Sequence, residues 1–444
     1  MIRLRKYQKK AVKDIINFYN SKNNKRVISV LPTGSGKSHI IAEVVKLLKV
    51  RTIIIQPSKE LLEQNYNKYI IYGNAKIYSA SMNSKEIGDV TFVTPLSVKN
   101  KADLFENVEL ILIDEAHLMT NSYGVIDTFI NNLEFEPRVI GLTATPIKLK
   151  NYVGDFDNYS QLNILTKIRP RFWQDIIHVT QVKELYDEKF LTPLRFSSFS
   201  FDRNNLKMRG HDYDEESISK EMEIQGNFEL GVELIKESIK RGKKKILVFT
   251  ASVNDSIKLK QRLRGIEIIT AKTPKKERTE IVNRFKNGDL KVLSNYGTLV
   301  VGFDVPEIDL IIMMRPTQSY ALYYQMLGRG IRIAPNKEIC DVIDLSGNYK
   351  VFKGIEDLSI ENHPTNGWSM FAKNYLITGV PIGAKIHRKN LNWKEKEIPF
   401  GKYKGTKYKD VPGHYLKYIA ENFDLNNDYA RKFIKPALKA LNYI

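Results

Sequence analysis

The stretch that most constrains this chain runs from Leu31 to Ser38 and reads Leu-Pro-Thr-Gly-Ser-Gly-Lys-Ser. It lies between an apolar, strand-like segment, Val27–Val30, and a helix-like segment that begins near His39. A strand that ends in a glycine-rich turn and continues as a helix leaves several backbone N–H groups unpaired at the positive end of the helix dipole. The pattern therefore predicts a phosphate-binding cradle. The alternative is an ordinary strand-to-helix turn.

Each residue type in this cradle has a chemical role. Gly34 and Gly36 allow the backbone to approach an anion closely, Lys37 supplies a positive charge for the β- and γ-phosphates, and the Ser38 hydroxyl is a ligand for Mg²⁺. Leu31 occupies the position where the strict pattern has its first Gly. The predicted nucleotide contacts in this run are Thr33, Gly34, Ser35, Gly36, Lys37 and Ser38.

The charge of the chain points to a polyanionic partner. Its 444 residues include 70 Lys and Arg against 50 Asp and Glu, and the formal charge is +20. DNA, RNA and acidic membranes all fit this charge, but the sequence has no apolar run of the length that a membrane span requires. A single cysteine, Cys340, excludes an internal disulfide and a cysteine zinc cluster, so we expect an intracellular, cytoplasmic protein with a buried structural thiol.

Residues 1–150 alternate strand-like and helix-like segments, which predicts an α/β fold with a doubly wound parallel sheet. An amphipathic helix over residues 3–20 precedes the cradle, and its Gln8 carries an amide that suits the edge of adenine, with a surface glutamine as the alternative. Two strands end in turns that hold Pro57, Ser58 and Thr94. Hydroxyls at the carboxyl edge of such a sheet are suited to a nucleic-acid backbone.

A further apolar strand, Leu110–Ile113, ends in Asp114, Glu115, Ala116 and His117. Two carboxylates at the end of a buried strand are costly unless a cation or a reactant lies beside them. We expect Asp114 to hold Mg²⁺ and Glu115 to activate the water that attacks the γ-phosphate. A capping pair that opens a helix is the alternative.

The regular alternation stops near residue 151 and resumes near 241. We expect residues 151–240 to link two domains, with 201–217 as a long exposed loop or hairpin, and residues 241–350 to form a second parallel sheet without a cradle. Arg329 and Arg332 follow a helix-like segment at a spacing that places both on one helix face, where two guanidinium groups can reach one γ-phosphate. Ordinary surface arginines are the alternative.

The order of these motifs over residues 3–345 resembles that of superfamily 2 helicases and translocases of the DEAH-box, DNA-acting kind, including phage branch-migration helicases. The resemblance implies two RecA-like domains that hold ATP and Mg²⁺ between them. It assigns adenine recognition to Arg5 and Gln8, coupling to Thr143, Ala144 and Thr145, nucleotide contact to Gly302 and Asp304, and catalysis to Gln325, Arg329 and Arg332 together with Lys37, Asp114 and Glu115. It assigns backbone contacts with nucleic acid to Pro57, Ser58, Thr94, Thr250 and Thr298.

The implied activity is ATP-dependent unwinding or remodelling of forked and branched DNA in replication, recombination or repair, with proteins of those processes as partners. The expected location, the cytoplasm, includes that of a host cell for a phage-encoded protein. Family members of this kind usually move 3′ to 5′. An RNA helicase, an ATP-gated clamp that binds duplex without separating it, and a motor subunit for a nuclease are the alternatives.

Residues 351–444 are expected to form a basic accessory domain. From Lys373 to Ile444 there are 15 Lys and Arg against six Asp and Glu. Cations alternate with aromatic residues near the middle of this region, a pattern suited to phosphates and base faces together, and the predicted DNA contacts are Lys402, Tyr403, Lys404 and Lys407. The stretch is similar to the C-terminal module of exonuclease X-type proteins. A solvated basic tail with a small core is the alternative.

Overall fold

The computed structural model describes residues 4–118, 124–152, 159–210, 212–297, 305–363, 366–382, 386–388, 397–398, 400–423, 425, 434–441 and 443. Its helices are α1 Lys6–Tyr19, α2 Lys37–Leu48, α3 Lys59–Tyr69, α4 Val125–Asn131, α5 Val182–Asp187, α6 Glu215–Ile224, α7 Asn227–Lys240, α8 Val253–Arg262, α9 Lys275–Asn287, α10 Tyr320–Leu327, α11 Asn348–Phe352 and α12 Gly413–Asn422, followed by a last helix, Lys435–Ala440. In the part of the chain that is described, no helix is long and apolar enough to cross a membrane.

The first group of strands lies within the first 179 residues. These strands are β1 Val27–Val30, β2 Thr52–Ile55, β3 Lys76–Ser79, β4 Ser84–Lys85, β5 Val90–Val93, β6 Leu110–Asp114, β7 Arg138–Thr143, β8 Ile147–Tyr152, β9 Tyr159–Ile164 and β10 Asp175–Val179. Except for the hairpin β8–β9, they form one sheet in the order β10-β1-β7-β6-β2-β5-β3-β4, in which all pairs but β3–β4 are parallel. We call residues 4–187 the first lobe.

Both faces of the first sheet are buried, which explains why its strands are apolar without alternation. On one face Ile54 and Leu112 pack with residues of α1 and α2, such as Ile15 and Ile40. On the other face the strands pack against α4 and the segment before β10, whose buried side chains include Phe129, Phe172 and Trp173. The predicted doubly wound sheet is confirmed.

The later strands are β11 Leu194–Ser198, β12 Met208–Arg209, β13 Asp212–Tyr213, β14 Ile246–Phe249, β15 Ile266–Ile269, β16 Val292–Asn295, β17 Leu310–Met313, β18 Cys340–Asp344, β19 Leu358–His363, β20 Gly367–Ala372, β21 Tyr375–Leu376 and β22 Ile386–His387. Among the described residues, six of them form a second parallel sheet in the order β11-β18-β17-β14-β16-β15. We call residues 194–352 the second lobe. The predicted second α/β domain is confirmed, and Cys340 is buried in its sheet.

The segment 151–240, predicted to link the two domains, mostly belongs to them. Strand β10 pairs with β1 at the edge of the first sheet, β11 pairs with β18 at the edge of the second sheet, and α6 and α7 pack on the second sheet. Within this segment, residues 188–193 pass from the first lobe to the second, and we call them the linker. A strand at a sheet edge is recruited by distant partners, so its membership is not encoded in its own short sequence.

The predicted loop or hairpin at 201–217 contains the two-residue strands β12 and β13, and α6 starts within it at Glu215. The hairpin is fixed to the second lobe, because the Asp212 carboxylate accepts hydrogen bonds from the Thr317 hydroxyl at 2.6 Å and from the Gln318 N–H at 2.8 Å. His211 lies outside the described residues. The segment is thus a hairpin that packs on the second lobe.

The C-terminal region, predicted as one domain over 351–444, has two parts in the described residues. Strands β19–β22 form an antiparallel sheet that returns to the first lobe, where the Trp368 indole N–H donates to the Asp175 carboxylate at 2.9 Å. Beyond it a small module has its own core, in which Ile398, Tyr408, Leu416 and Leu438 are buried. The first part therefore ties the end of the second lobe back to the first.

Candidate functional site

The glycine-rich run forms the predicted turn between β1 and α2. Gly34 and Gly36 have φ values of +81° and +79°, a backbone region that side chains rarely adopt. A Cβ on Gly36 would lie 2.6 Å from the Gln8 Nε2, so a side chain there would displace the Gln8 amide. Helix α2 begins at Lys37, and the first N–H groups of a helix have no partner within it. The turn is therefore built as an anion cradle.

Strand β6 delivers the two predicted carboxylates to the same place. The Lys37 Nζ lies 3.0 Å from the Glu115 Oε1, and Asp114 is buried beside this ion pair. Glu115 has a φ of +48°, a strained value for a residue with a side chain, of the kind that clusters at functional sites. The buried Trp173 supports this turn, since its indole N–H donates to the Ala116 carbonyl at 3.1 Å.

Burial and charge set the protonation of this cluster. Burial raises the pKa of Asp114 to about 6, against the attraction of Lys37. Burial would also raise the pKa of Glu115, but the charge and hydrogen bond of Lys37 act together with other neighbouring cationic groups, so the pKa of Glu115 is lowered. Burial acts to lower the pKa of Lys37, and the carboxylates of Glu115 and Asp114 reverse this and raise it. The cluster thus holds a charged Lys37–Glu115 pair.

A chain of polar contacts crosses from the first lobe to the second through His117. The His117 Nδ1 lies 3.0 Å from the Thr143 hydroxyl, and its Nε2 lies 3.3 Å from the Gln325 Nε2. Burial lowers the pKa of His117, so the imidazole is neutral near pH 7 and bonds through one N–H and one acceptor nitrogen. The structure thus brings Gln325 to the end of the strand that carries Asp114.

The cradle, the carboxylates and the arginines line one cavity of about 310 Å³ between the lobes. A Cβ on Gly328 would lie 2.9 Å from the Thr33 methyl carbon, so the arginine-bearing turn packs directly on the cradle. Of the predicted residues, this cavity is lined by Arg5, Thr33, Gly34, Gly36, Lys37, Ser38, Asp114, Glu115, Ala144, Thr145, Gln325, Arg329 and Arg332. Gln8 and Ser35 do not line it, and Gly302 and Asp304 lie outside the described residues.

The expectation that Arg329 and Arg332 share a helix face is wrong. Helix α10 ends at Leu327, and both arginines lie on the irregular turn that follows. The turn is held by its carbonyl groups: the Arg332 carbonyl accepts hydrogen bonds from the Thr192 hydroxyl at 2.9 Å and from the Lys337 Nζ at 2.9 Å. Sequence reasoning missed both donors, which lie in the linker and in the loop after the turn.

Arg5 lines the cavity, and Gln8 lies behind it against the cradle. The Arg5 guanidinium lies over the ring of Phe190, a linker residue, at 4.2 Å from its centroid. Gln8 is buried, its Oε1 accepts from the Arg5 N–H at 2.8 Å, and its Nε2 donates to the Ser35 carbonyl at 2.8 Å. Gln8 thus joins the start of α1 to the cradle and is not the surface glutamine of the alternative.

The residues present fit a magnesium nucleotide. Gly34, Gly36 and Lys37 line the same cavity, and Gly36 has the positive φ of a phosphate-binding turn, as triphosphate binding requires. Ser38 and Asp114 offer oxygen ligands, which Mg²⁺ prefers, and the Asn65 side chain connects them. Asn65 carries no sequence signal of its own, because it lies in the middle of α3.

The residues predicted to contact nucleic acid differ in how far their side chains are exposed. The Ser58 side chain caps α3 by accepting from the Leu61 N–H at 3.3 Å, and Thr94 bonds Ser79 and Ser97 through its hydroxyl. Thr250 is buried, and its hydroxyl lies 2.7 Å from that of Ser256, so this residue is not presented to a ligand.

The remaining predicted contacts are one proline of the first lobe, one threonine and four residues of the C-terminal module. Pro57 is half-buried just before α3. Thr298 lies outside the described residues. In the C-terminal module Lys402, Lys404 and Lys407 are exposed, while the Tyr403 ring packs edge-on against Tyr415 at 4.8 Å. The module therefore presents cations at its surface, and its DNA contacts stay predictions.

Two family models match the chain. The one described as type III restriction enzyme, res subunit, matches residues 1–148, and the one described as helicase conserved C-terminal domain matches residues 229–334. These matches fall on the first and second lobes. The putative ATP-dependent helicase IRC3 of Saccharomyces cerevisiae is 28% identical over 374 residues, which cover 78% of this chain and 51% of that protein.

Two further relatives span similar shares of the chain. A 51.5 kDa protein of a Lactococcus phage is 29% identical over 69% of this chain and 62% of its own length. The DNA 3′-5′ translocase XPB2 of Sulfurisphaera tokodaii is 27% identical over 74% of this chain and 79% of its own length. The chain thus spans about half of the yeast relative and somewhat under two thirds of the phage relative.

Solved structures agree on the fold. The type ISP restriction-modification enzyme LlaBIII bound to DNA superposes with a TM-score of 0.57 at 16% identity, over 77% of this chain and 28% of that chain. Dbp5 of S. cerevisiae bound to RNA and ADP BeF3 gives a TM-score of 0.51 at 17% identity, over 79% and 86%. Together with the family matches and the two parallel sheets that meet at one cavity, they identify a fold of two RecA-like domains, similar to that of superfamily 2 helicases.

Proposed function

We propose that this chain is an ATP-dependent motor that translocates on DNA and unwinds or remodels forked and branched DNA. The observation that carries the proposal is the single cavity to which both lobes contribute charge. Lys37, Asp114 and Glu115 line it from the first lobe, and Arg329 and Arg332 line it from the second. A site divided between two lobes can couple the state of its nucleotide to their relative movement.

The geometry suggests how hydrolysis proceeds. When ATP enters the cradle, Lys37 exchanges its ion pair with Glu115 for the phosphates, which frees the Glu115 carboxylate to accept a proton from the attacking water. Bound Mg²⁺ would neutralise charge on the β- and γ-phosphates, with Ser38 and Asp114 as its protein ligands. Arg329 and Arg332 stabilise the charge that develops on the transferred group.

Coupling to movement would pass through the contacts that cross the cleft. His117 lies between Thr143 of the first lobe and Gln325 of the second. Loss of the γ-phosphate removes an anion shared by the two lobes, so their attraction weakens and the cleft opens. The distance between the nucleic-acid contacts of the first lobe and those of the second then changes, which moves the motor along the DNA strand that it tracks.

The choice of DNA rests on charge and on relatives. The excess of cationic residues in the C-terminal region supports a polyanionic binding partner, and the relative XPB2 is named a DNA 3′-5′ translocase. Dbp5, which shares the fold, was solved with RNA, so an RNA helicase is the second candidate. Work on forks or junctions, a role in replication, recombination or repair, partner proteins from those processes and 3′-to-5′ movement belong to the proposal through the family resemblance.

The test is strand displacement on matched DNA and RNA forks with varied arms, measured beside ATP hydrolysis. We expect DNA to stimulate hydrolysis and forked DNA to be unwound, while RNA does neither. Hydrolysis without displacement would favour an ATP-gated clamp, and displacement of RNA alone would favour the RNA helicase.

The variant Glu115→Gln tests the mechanism separately. Because a general base contributes roughly 10²- to 10⁴-fold to a reaction rate, we expect the rate of DNA-stimulated ATP hydrolysis to fall by that factor in this variant. DNA binding should be retained, because Glu115 lies in the nucleotide cavity. DNA-stimulated hydrolysis at the wild-type rate in this variant would overturn the mechanism.

A further inference from the structure

Asn65, on the side of α3 that faces the cavity, bonds to both predicted magnesium ligands. Its Oδ1 accepts a hydrogen bond from the Ser38 hydroxyl at 2.6 Å, and its Nδ2 donates to the Asp114 Oδ2 at 3.0 Å. The side chain is buried, with 7% of its surface exposed. Ser38 lies in the first turn of α2 and Asp114 ends β6, so one amide joins two elements that are distant in sequence.

The direction of each bond matters for cation binding. A hydroxyl has one proton and two lone pairs. When the Ser38 proton is given to Asn65, the lone pairs of Ser38 are free for a cation. Asp114 accepts from Asn65 through Oδ2 and from the Glu115 N–H through Oδ1 at 2.9 Å, which fixes the plane of the carboxylate. Both ligand groups are thus oriented before a cation arrives.

Gln56 fixes which way the Asn65 amide points. The Asn65 Nδ2 also donates to the Gln56 Oε1 at 3.0 Å, so both N–H groups of Asn65 have acceptors and its oxygen faces Ser38. Gln56 is fully buried at the end of β2, between β5 and β6, and its Nε2 has no hydrogen-bond partner. A buried donor left without a partner is costly. The hydrogen bonds of the Gln56 amide therefore do not by themselves explain why Gln56 is held in this place.

We propose that Asn65 is a positioning residue for the magnesium of the nucleotide site, and that it acts by orienting Ser38 and Asp114. Residues that orient ligand groups from behind have large effects on metal affinity, although they do not touch the metal. The inference rests on the proposed function, because it assumes that Ser38 and Asp114 bind Mg²⁺ with ATP. It adds a residue from α3 to a site otherwise built from the cradle and β6.

The experiment measures nucleotide binding rather than turnover. The full chain is titrated with a fluorescent ATP analogue, first in EDTA and then over a range of Mg²⁺ concentrations. In Asn65→Ala we expect unchanged binding in EDTA and an increase of about 10- to 100-fold in the Mg²⁺ concentration for half-maximal tightening. Asn67→Ala is the matched control, because Asn67 lies on the same helix with its side chain exposed.

Each outcome decides a different question. A wild-type chain whose binding does not respond to Mg²⁺ would overturn the magnesium site of the proposed function. A wild-type response with a shift below about threefold in Asn65→Ala would overturn the role of Asn65 alone, since orienting groups have larger effects. A thermal unfolding curve of each variant identifies loss of fold.

A second measurement covers an unstable Asn65→Ala. The shift in Mg²⁺ response is compared among Ser38→Ala, Asn65→Ser and the double variant. If Asn65 acts through Ser38, the double variant is no weaker than Ser38→Ala by itself. Additive shifts would show that Asn65 does not act through Ser38, and would overturn that part of the proposal.

Discussion

The two walls of the cleft hold their charged side chains by different means. In the first lobe, Lys37 and Glu115 lie at the ends of a helix and a strand and bond to each other. In the second lobe, Arg332 lies on an irregular turn whose carbonyl groups are held by Thr192 and Lys337. The first wall is fixed by its own side chains, and the second by backbone contacts with residues outside the motif.

The difference follows from what each wall must do. A pre-formed cradle binds phosphate without a movement of its own, because helix and strand ends are rigid. In the proposed mechanism the arginine reaches the nucleotide when the lobes close, and we expect a turn that is anchored to the linker at Thr192 to move with that linker. The comparison therefore predicts large effects for the charged groups themselves and smaller, separable effects for the anchors.

The largest effect is expected for Arg332→Ala. An arginine that stabilises the transferred phosphoryl group is worth about 10³- to 10⁵-fold in rate, so kcat for ATP hydrolysis should fall by at least that lower figure. Binding of ATP should change little, because the cradle belongs to the other wall. Steady-state ATPase assays with DNA and a binding titration measure the two quantities. Arg241→Ala is the control, since Arg241 is exposed at the C-terminal end of α7 and forms an ion pair with Glu237.

If Arg332→Ala instead raised KM for ATP and left kcat unchanged, the second wall would be a binding wall like the first. The conclusion that the two walls have different roles would then be wrong.

The anchors come next. Lys337 donates to the carbonyls of Pro306, Gly330 and Arg332, at 2.7, 2.7 and 2.9 Å. In Lys337→Met these carbonyls lose a donor, at a cost of about 1–3 kcal/mol. If about 1.4 kcal/mol of this cost is lost from transition-state stabilisation because the turn shifts, kcat should fall about tenfold. ATP affinity should stay near that of the wild type. Thr192→Val, which removes one hydroxyl from the same turn, should have a smaller effect in the same direction, and Thr279→Val on the exposed side of α9 should have none.

Lys337 also gives the second wall a pH dependence. Burial lowers the pKa of Lys337 to about 8, below its ordinary value of 10.5. Between these two pH values the unfolded chain binds a proton that the folded chain has released, so the free energy of unfolding gains a term that grows as pH rises. Below about pH 8 the cost of burying the charge is fully present. Urea unfolding of wild type and Lys337→Met, at about pH 7 and about pH 10, should show the difference between them moving in favour of the wild type. Parallel pH profiles would contradict the burial of a charged Lys337.

Sequence patterns predicted the first wall because its parts are contiguous. A glycine-rich turn, a buried strand and two acidic residues each act through neighbours within a few positions, and Gly36 has the positive φ that the pattern requires. Periodicity also identified both parallel sheets, since their buried strands are apolar runs. Local rules were sufficient for these features.

The parts that escaped prediction depend on distant partners. Thr192 bonds to Arg332 across 140 positions in the chain, and β10 and β11 were mistaken for a linking segment because edge strands show little pattern of their own. The arginines were placed on a helix because their spacing fits one, whereas Gly328 ends α10 before them. Asn65 was overlooked because an asparagine inside a helix has no signature until its partners are known.

The smallest effect is expected where the linker touches the first wall. The ring of Phe190 lies under the Arg5 guanidinium, and cation–π contacts at partly exposed sites contribute about 0.5–1 kcal/mol, equivalent to about a two- to fivefold change in affinity. Phe190→Ala should raise KM for ATP by that amount and leave kcat unchanged, because Arg5 then loses the support that holds it at the cavity. Phe135→Ala, at an exposed position elsewhere in the first lobe, is the control. A fall in kcat without a change in KM would instead mean that Phe190 acts on the second wall through Thr192, and the linker would then belong to the anchors of the arginine turn.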